Sequence, residues 1–455
     1  MTLRPLCITL AAMFLAAPVS SAQGPAPIPE AYRATADRII QAALADSGAY
    51  RRLQVMTETF GNRLSGSPAL ERTIDWILTQ MKKDSLQQAH TERVMVPHWV
   101  RGTESAQLLL PREAPLPMLG LGGSIGTPPD GITARVLVVT SFDDLTAHAA
   151  QARGKIVLFN APFVSYGQTV VYRTQGAQAA AKVGAVASLI RSITPYSMRT
   201  PHTGVMYYDS TGKIKKIPHA AITPEDADML QHMQERGEPI LLKLKMNART
   251  LPDAPSRNVM AQLTGSEKPN EVVVMGGHID SWDVGRGAMD DGGGIMVAWQ
   301  ALNLLKRLGL TPKRTIRVVG WVNEENGARG GAAYPKAHAG EQHVLAIESD
   351  GGVFKPHGFG FTGPDAARAT VQQIGSLLAG IGADSIGAGG GGTDIEALMA
   401  TGVPGMGLNV DGTRYFWFHH SDADTIDKLD PHEMALCVAT MAVMAYVVAM
   451  EGLPK

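Results

Sequence analysis

After Ser256 the chain alternates strand-like and helix-like patterns, and this alternation limits the possible folds more than any other feature. Apolar runs at residues 271–275, 315–321 and 343–348 have the length of strands, and residues 293–308 repeat apolar side chains at helical spacing. Strands that alternate with helices are typical of a sheet whose strands run mostly in parallel. The sequence therefore predicts an α/β sandwich around a mixed, largely parallel sheet.

A histidine and several carboxylates come directly after these strand patterns. His278 follows the first strand, Glu324 and Glu325 follow the second, and Asp350 follows the third, while Asp290 precedes the helix that comes after the first strand. In open α/β sheets, functional groups gather beyond the carboxyl ends of the strands. We therefore expect these five side chains to meet at one edge of the sheet.

Imidazole and carboxylate groups are the ligands of a hydrolytic metal site that keeps a position open for water. Where two ions lie about 3.5–4 Å apart, a carboxylate that bridges both offsets their repulsion. Asp290 is the candidate bridge, because the glycines after it let the backbone approach the ions. Asp280 lies two residues after His278 and is the candidate hydrogen-bond partner for the other ring nitrogen of that histidine.

Glu324 and Glu325 are adjacent, so within a strand they would point to opposite faces. Both can face one site only if the chain leaves strand geometry there, and the following Asn326-Gly327 favours that. One glutamate would then bind metal, while the other, unligated, would transfer the proton.

Each motif taken alone has a simpler explanation. A His-X-Asp sequence is more often a surface or core pair, a Glu-Glu pair is usually a solvated charge run, and a glycine run can simply open a helix. Their joint occurrence at successive strand ends favours a metal site.

The first residues have the pattern of a secretory signal peptide. Arg4 precedes an apolar run at residues 6–17, and small residues follow up to Ala22, where cleavage is predicted. The alternative is an uncleaved membrane anchor, but the run is shorter than the ~20 residues that a spanning helix needs. We expect an exported protein, periplasmic or extracellular, that keeps one thiol, at Cys437, and forms no internal disulfide.

The remaining chain divides into three segments by its sequence pattern. Residues 23–99 carry two helical patterns and are predicted to be the N-terminal part of the main domain, residues 100–245 read as a β-rich insert, and residues 246–455 complete the main domain. A formal net charge of −1 gives no reason to expect nucleic acid or an anionic membrane as a partner.

The motifs together resemble the M28 family of zinc peptidases and, within it, the carboxypeptidase Q group. The resemblance extends from about residue 31 to the end of the chain, and it rests on five segments. These segments are Gly277-His278-Ile279-Asp280-Ser281-Trp282-Asp283, Ala288-Met289-Asp290-Asp291-Gly292, Asn323-Glu324-Glu325, Glu348-Ser349-Asp350-Gly351 and Phe418-His419-His420-Ser421. The resemblance implies a phosphorylase/hydrolase-like three-layer domain with a protease-associated type of insert.

The resemblance also implies two zinc ions per chain, with manganese or cobalt as alternatives. By this resemblance His278 and Asp350 bind one ion, Glu325 and His420 bind the other, and Asp290 bridges them. Glu324 matches the general base, and Asp280 matches the residue behind His278. Relatives also carry a cis peptide bond between Asp290 and Asp291.

Two further positions have open roles. His419 stands where many family aminopeptidases carry a tyrosine, so it either takes over a contact to the oxyanion or only packs. Asp394 falls near a family Ser-Asp-His pattern in which Ile395 replaces the histidine. The aromatic run at residues 415–418 either lines a substrate pocket or belongs to the core.

As a function, the resemblance implies an exopeptidase or dipeptidase that cleaves short peptides through a metal-bridging hydroxide, and homodimers are common among such relatives. Two alternatives share the fold: a non-catalytic binding ectodomain and a single-zinc glutaminyl cyclase-like enzyme. The complete set of five ligand residues argues against the first, and the bridge with its Glu-Glu pair argues against the second.

Overall fold

The computed structural model describes residues 27–454. The predicted signal peptide, residues 1–22, lies outside the described residues. Two eight-stranded sheets organise the described chain. The strands are β1 (Gln87–Val100), β2 (Glu104–Leu110), β3 (Ala114–Leu116), β4 (Met118–Gly120), β5 (Ile132–Val139), β6 (Ile156–Phe159), β7 (Ala187–Arg191), β8 (His219–Ile222), β9 (Leu241–Met246), β10 (Arg249–Leu263), β11 (Lys268–His278), β12 (Arg314–Trp321), β13 (Gln342–Glu348), β14 (Pro356–Thr362), β15 (Ser385–Ala388) and β16 (Gly405–Val410).

Helices connect and cover these strands. They are α1 (Ile28–Leu44), α2 (Gly48–Phe60), α3 (Pro68–Lys83), α4 (Phe142–Ala147), α5 (Ala149–Ala152), α6 (Tyr166–Lys182), α7 (Pro224–Glu235), α8 (Gly293–Arg307), α9 (Glu324–Gly327), α10 (Arg329–Ala337), α11 (Asp365–Gly375), α12 (Thr393–Met399), α13 (Tyr415–Phe418) and α14 (Pro431–Glu451).

The first sheet is mixed, with the order β1-β10-β12-β11-β13-β16-β14-β15. Its centre is parallel, because β11 pairs in parallel with both β12 and β13, and β13 pairs in parallel with β16. Every residue of β12 is buried, as expected for a strand with helices on both faces. The predicted α/β class with a mixed, largely parallel sheet is confirmed.

Helices α1, α8 and α14 pack against one another on one face of this sheet, and α10 and α12 lie together on the other. Within the described residues, α14 is the one helix long and apolar enough to cross a bilayer, but 89% of its apolar window is buried inside the protein. Its composition is therefore explained by its place in the core. Cys437, on the same helix, is a buried free thiol.

The second sheet is built from strands between residues 104 and 246, in the order β3-β2-β9-β5-β6-β7-β8-β4. This segment contains more helix than its β-rich sequence pattern predicts. It contains the helices α4, α5, α6 and α7. The apolar residues of α6 follow the helical period only weakly, so periodicity gives little indication of this helix.

The N-terminal region also contains a helix that the sequence patterns did not reveal. Residues 48–60 form α2, which buries Leu53 and Met56 against the main core. The segment also carries charged side chains, which obscure its apolar pattern. Its helical conformation depends on tertiary packing.

Candidate metal centre

The predicted site residues lie at the carboxyl ends of the central parallel strands. His278 is the last residue of β11, Glu324 and Glu325 lie just beyond β12, and Asp350 lies two residues beyond β13. Asp290 lies in a single wide turn, Ala288–Gly292, immediately before α8. Neighbouring parallel strands end at the same edge of the sheet, and this brings residues far apart in sequence together.

One carboxylate oxygen of Asp290 faces the first ligand pair. Its Oδ1 lies 3.3 Å from Nε2 of His278, and the same nitrogen lies 3.4 Å from Oδ1 of Asp350. These three ligand atoms all lie within 4.8 Å of one another, close enough to hold one metal ion.

The other oxygen of Asp290 faces the second pair. Oδ2 lies 3.1 Å from Nε2 of His420, and that nitrogen lies 3.0 Å from Oε2 of Glu325. The carboxylate of Asp290 therefore separates two groups of ligand atoms, with one oxygen directed to each.

Several polar atoms of this cluster are not satisfied by hydrogen bonds to one another, and divalent cations would satisfy them. Nε2 of His278, Oδ2 of Asp290 and Oδ1 of Asp350 are all buried and have no hydrogen-bond partner within the described part of the chain. Burial raises the pKa of Glu325 to about 8 and that of Asp350 to about 6. Buried carboxylates without partners are costly, and bound cations would offset that cost.

A second aspartate holds the turn that carries Asp290. Asp424 accepts backbone N–H groups from Ala288 at 3.0 Å and Met289 at 2.7 Å with one oxygen, and from Asp290 at 3.2 Å with the other. The Asp290–Asp291 peptide bond is cis, in agreement with the expectation from the resemblance. The backbone of the turn is therefore anchored at three successive residues.

Asp291 joins this turn to the end of β11. Its carboxylate accepts the N–H of His278 at 3.0 Å and that of Gly294 at 3.1 Å. A Cβ atom at Gly277 would come within 2.2 Å of this carboxylate, and one at Gly294 within 2.4 Å. Both glycines are thus required by the close approach of backbone and carboxylate.

Arg63 supports the same region from the other side. Its fully buried guanidinium donates to the carbonyl oxygens of Ile279 at 2.7 Å, Arg286 at 2.7 Å and Gly287 at 2.8 Å. The sequence patterns did not identify Arg63. Its one visible signal was its position within a turn-rich segment, residues 61–68.

Asp280 does not contact His278 in the expected way. Nδ1 of His278 is hydrogen-bonded to the carbonyl oxygen of Asp280 at 2.9 Å, whereas the carboxylate Oδ1 lies 3.9 Å from that nitrogen. The carboxylate instead accepts the N–H groups of Asn323 at 2.7 Å and Glu324 at 3.2 Å. Asp280 therefore supports the histidine with its backbone and the glutamate turn with its side chain.

The two glutamates leave strand geometry, as the adjacent pair requires. Asn323 has a φ of 71° and Ala328 a φ of 50°, so left-handed residues flank the short turn α9. Glu325 is directed to His420. Glu324 lines the cavity, with Oε2 4.0 Å from Nε2 of His278.

His419 lies beside the cluster. Its Nε2 is 3.5 Å from Oδ2 of Asp290, and its ring stacks on that of His420 with 3.5 Å between centroids. Burial and the neighbouring His420 lower the pKa of His419. His419 thus packs against His420 and also lines the cavity.

Asp394, in contrast, is not part of the cavity wall. It is 1% exposed, and Thr393 rather than Asp394 reaches the cavity. Burial and the charge of the nearby Glu348 raise the pKa of Asp394 well above its usual range. A direct contact between Asp394 and substrate is therefore not supported by its position at the buried side of α12.

A cavity of about 660 Å³ opens beside the cluster, and it is lined by helix and loop residues that accompany both sheets. Tyr415 and Phe416 of the aromatic run lie in its wall, so this part of the run faces the pocket. The lining residues from the second-sheet region are Tyr166, Arg173, Val205 and Tyr207. The sequence patterns did not identify these residues as part of the site.

The second-sheet region also holds the loop that carries the two histidines. The N–H of Thr203 donates to the carbonyl oxygen of His420 at 2.9 Å, and Nδ1 of His202 lies 2.6 Å from the carbonyl oxygen of His419. His420 has a φ of 59°, a left-handed conformation that is unusual outside glycine. Contacts from the second-sheet region thus help to stabilise an unfavourable backbone at a candidate ligand.

Comparison with known proteins gives a consistent result. The pattern of Peptidase family M28 matches residues 258–445. Carboxypeptidase Q of Homo sapiens is 49% identical over 407 residues, which cover 89% of this chain and 86% of that protein. The crystal structure of a peptidase M28 precursor from Shewanella amazonensis superposes with a TM-score of 0.89 at 35% identity, covering 94% of this chain and 99% of that one. A zinc aminopeptidase from Bacillus subtilis, at 20% identity, has a TM-score of 0.66 and covers 88% of this chain and 93% of that one, which shows a common fold.

Proposed function

The chain belongs to peptidase family M28, and we propose on that premise that it is a two-zinc exopeptidase acting on dipeptides and short peptides. That it is a metallo-exopeptidase follows from its 49% identity to carboxypeptidase Q over 89% of the chain. The number of ions, the substrate class and the roles of the individual residues are our proposal.

One observation carries the two-metal proposal: the two oxygens of Asp290 face different ligand pairs. A carboxylate at a single-ion site needs only one group of ligand side chains around it, whereas a bridging carboxylate needs a second group at its other oxygen. Oδ1 lies near His278 and Oδ2 near His420, each within 3.3 Å of the Nε2 atom. His278, Asp350 and Asp290 would hold one ion, and Glu325, His420 and Asp290 the other.

The donor set favours zinc. Two imidazoles and three carboxylates suit zinc, while manganese and cobalt also accept such ligands. The name of the structurally similar Bacillus subtilis protein, a zinc aminopeptidase, points the same way. When bound, the ions would lower the pKa of a coordinated water and polarise the scissile carbonyl.

Glu324 is our candidate for the proton-transferring group. It lies in the cavity wall next to the cluster, and its side chain is 17% exposed, so it can reach a water molecule and a substrate. It would accept the proton of the attacking water and deliver it to the leaving amine. Asp280 would keep Glu324 in place through the N–H of that residue.

His419 is our candidate for a contact to the substrate carbonyl. It lies in the cavity wall, and burial lowers its pKa, which favours the neutral imidazole that donates a hydrogen bond without adding a charge. Such a donor stabilises negative charge that develops on the carbonyl oxygen.

Two further parts of the proposal concern architecture and location. We assign the second sheet, with strands between residues 104 and 246, to a protease-associated type of insert. We also propose export to the periplasm or the extracellular space, on the basis of the apolar N-terminal pattern alone.

A substrate panel with a chelator control tests the proposal. Dipeptides and amino-acid anilides would be assayed with the zinc-loaded protein, with the chelated protein, and after zinc is restored. We expect peptide hydrolysis that chelation abolishes and zinc restores. Cyclisation of N-terminal glutamine with one ion per chain would instead support the cyclase alternative, and an absence of both metal and activity would support the binding ectodomain.

A further inference from the structure

The two histidines of the candidate metal centre are supported in different ways. His278 is the last residue of β11; its N–H donates to Asp291 at 3.0 Å, and its Nδ1 is hydrogen-bonded to the carbonyl oxygen of Asp280 at 2.9 Å. These contacts come from the first sheet and its loops. His420 lies instead in the loop after α13, with a left-handed φ of 59°. A residue other than glycine keeps such a conformation only where its surroundings fix it.

The second-sheet region fixes both peptide groups that adjoin His420. The N–H of Thr203 donates to the carbonyl oxygen of His420 at 2.9 Å, and Nδ1 of His202 lies 2.6 Å from the carbonyl oxygen of His419. Peptide groups are planar, so the backbone at His420 can change only by rotation of these two groups about its Cα atom. Two hydrogen bonds from neighbouring residues therefore restrain both backbone dihedrals of a candidate ligand.

The ring of His202 makes this one hydrogen bond within residues 27–454. Its side chain is buried, and burial lowers the pKa of His202 to about 4. A carbonyl oxygen only accepts, so Nδ1 of the neutral ring carries the proton and donates it. The other ring nitrogen, Nε2, is buried without a hydrogen-bond partner in the described part of the chain. The polar contact of this buried ring is thus directed to the loop that carries His420.

Thr203 is itself held in place by the strands that lead into the second sheet. Its Oγ1 donates to the carbonyl oxygen of Gly120 at 2.9 Å and accepts from Nη2 of Arg101 at 3.2 Å. Arg101 is also paired with Asp283, in the loop that follows His278. The N–H that contacts His420 therefore has a defined position relative to both sheets.

We propose that His202 and Thr203 are positioning residues for the metal ion between Glu325 and His420, so that docking of the second-sheet region sets the affinity of this metal site. The site of His278 and Asp350 should not depend on that docking. This inference deepens the proposed two-zinc function and rests on it. Coupling between two binding equilibria is reciprocal, so occupancy of the site at His420 should stabilise the docked second-sheet region by the same factor.

Two substitutions of His202 test the effect on metal binding. Asparagine places an amide N–H close to the position of Nδ1, whereas leucine has a similar shape and no donor. In calorimetric titrations we expect His202→Leu to weaken one of the two zinc ions about 10-fold or more, the scale on which groups that orient ligands contribute. His202→Asn should restore most of that affinity, and the second ion should bind as in the wild type.

The matched control is His232→Leu, at an exposed position on α7 of the same region. It should leave the affinities of both ions unchanged. Equal zinc affinities of the wild type and His202→Leu would overturn the inference. It is also wrong if His202→Leu weakens both ions equally, because the residue would then have only a general structural role.

A double-mutant cycle tests whether His202 acts through His420. In His420→Ala the ligand is gone, so adding His202→Leu should not change zinc affinity further. In Asp350→Ala, which impairs the other site, His202→Leu should still weaken zinc binding. An effect of His202→Leu that is as large in His420→Ala as in the wild type would contradict the proposed route.

Hydrogen exchange measures the reverse direction of the coupling. The amide N–H of Thr203 exchanges when its contact with the carbonyl oxygen of His420 opens. Zinc should slow this exchange in the wild type, and the protection should be lost in His420→Ala. Exchange around residue 203 that is the same with and without zinc would overturn the inference.

These measurements use no peptide, so they separate the inference from the proposed function. Zinc binding that depends on His202 supports the inference even if no peptide is hydrolysed. An active peptidase with two zinc ions whose affinities do not depend on His202 overturns the inference and leaves the proposed function intact. One zinc ion per chain contradicts the two-zinc proposal; the positioning role then holds only if His202→Leu weakens that ion and His202→Asn restores it.

Discussion

Asp280 accepts the backbone N–H of Glu324 with its Oδ1 atom, at a distance of 3.2 Å. The same oxygen accepts the N–H of Asn323 at 2.7 Å, so one buried carboxylate fixes the start of the turn that carries the candidate base. Asp280 thereby connects the end of β11, where His278 lies, to the turn after β12. The position of the base relative to the ligand cluster depends on this connection.

Replacement of Asp280 by alanine should therefore impair both stability and turnover. The buried N–H of Asn323 and the partly buried N–H of Glu324 would lose their acceptor, and an unsatisfied buried group costs about 1–3 kcal/mol. We expect a lower free energy of unfolding in urea and a lower kcat, with Asp280→Asn intermediate because its amide oxygen can still accept. Unchanged kcat in a folded Asp280→Ala protein would contradict the positioning role.

Glu324→Gln should retain the fold and the bound metal but lose turnover. A glutamine cannot accept the proton of the attacking water, and general-base catalysis contributes about 10²–10⁴-fold to the rate. Steady-state kinetics together with metal analysis would measure both properties. Glu396→Gln, at an exposed position on α12, is the control and should behave as the wild type. Near wild-type turnover of Glu324→Gln would refute the assignment of the base.

Asp424→Ala should weaken metal binding although Asp424 is not itself a candidate ligand. It anchors three consecutive N–H groups of the turn that presents Asp290. Loss of groups that orient ligands typically costs 10–100-fold in metal affinity, so we expect an effect on the order of 10-fold or more in a competition titration with a chelator. Asp422→Ala, two residues away and exposed, should change the affinity little. Equal affinities of both variants would contradict this account.

His338 should make stability depend on pH in the alkaline range. Burial opposes its protonation, but hydrogen bonds to Glu341 and Glu92 outweigh burial and raise the pKa of His338 to about 9. A histidine with a raised pKa in the folded state contributes stability that is complete below its unfolded pKa of about 6.5 and is lost as the pH rises. The contribution should therefore disappear between about pH 6.5 and pH 9.

Urea unfolding of the wild type and His338→Gln across this pH range measures that contribution. The difference in unfolding free energy between the two proteins should be largest near pH 6 and should shrink toward pH 9.5. Because the partner carboxylates of Glu92 and Glu341 are 24% and 27% exposed, solvent screening limits the size of this difference. A difference that stays constant over the range would show that protonation of His338 is not involved.

The sequence predicted the site well where the site follows from strand order. His278, Glu324 and Asp350 could be brought together in advance, because parallel strands that follow one another end at the same edge. The need for Glu324 and Glu325 to leave strand geometry was also visible, since adjacent strand residues point in opposite directions.

Supporting residues were not predictable in this way. Arg63 contacts carbonyl groups more than 200 residues away in sequence, and His202 and Thr203 of the second-sheet region contact the histidine loop across a similar separation. The periodicity of the sequence does not reveal such contacts, because they depend on how the two sheets are placed relative to each other. The role of the Asp280 carboxylate was missed for a related reason: its hydrogen-bond partners are backbone groups, which have no sequence signature.

Titration of metal into the metal-free protein tests the central claim most directly. Calorimetry of zinc binding to the wild type and to Asp290→Ala, followed by metal analysis, gives the number of ions that each chain holds. We predict two zinc ions per wild-type chain and a clear loss of bound zinc in Asp290→Ala, because Asp290 directs one oxygen to each ligand group. One zinc ion per chain in a fully active wild type, or two tightly bound ions in Asp290→Ala, would contradict the account.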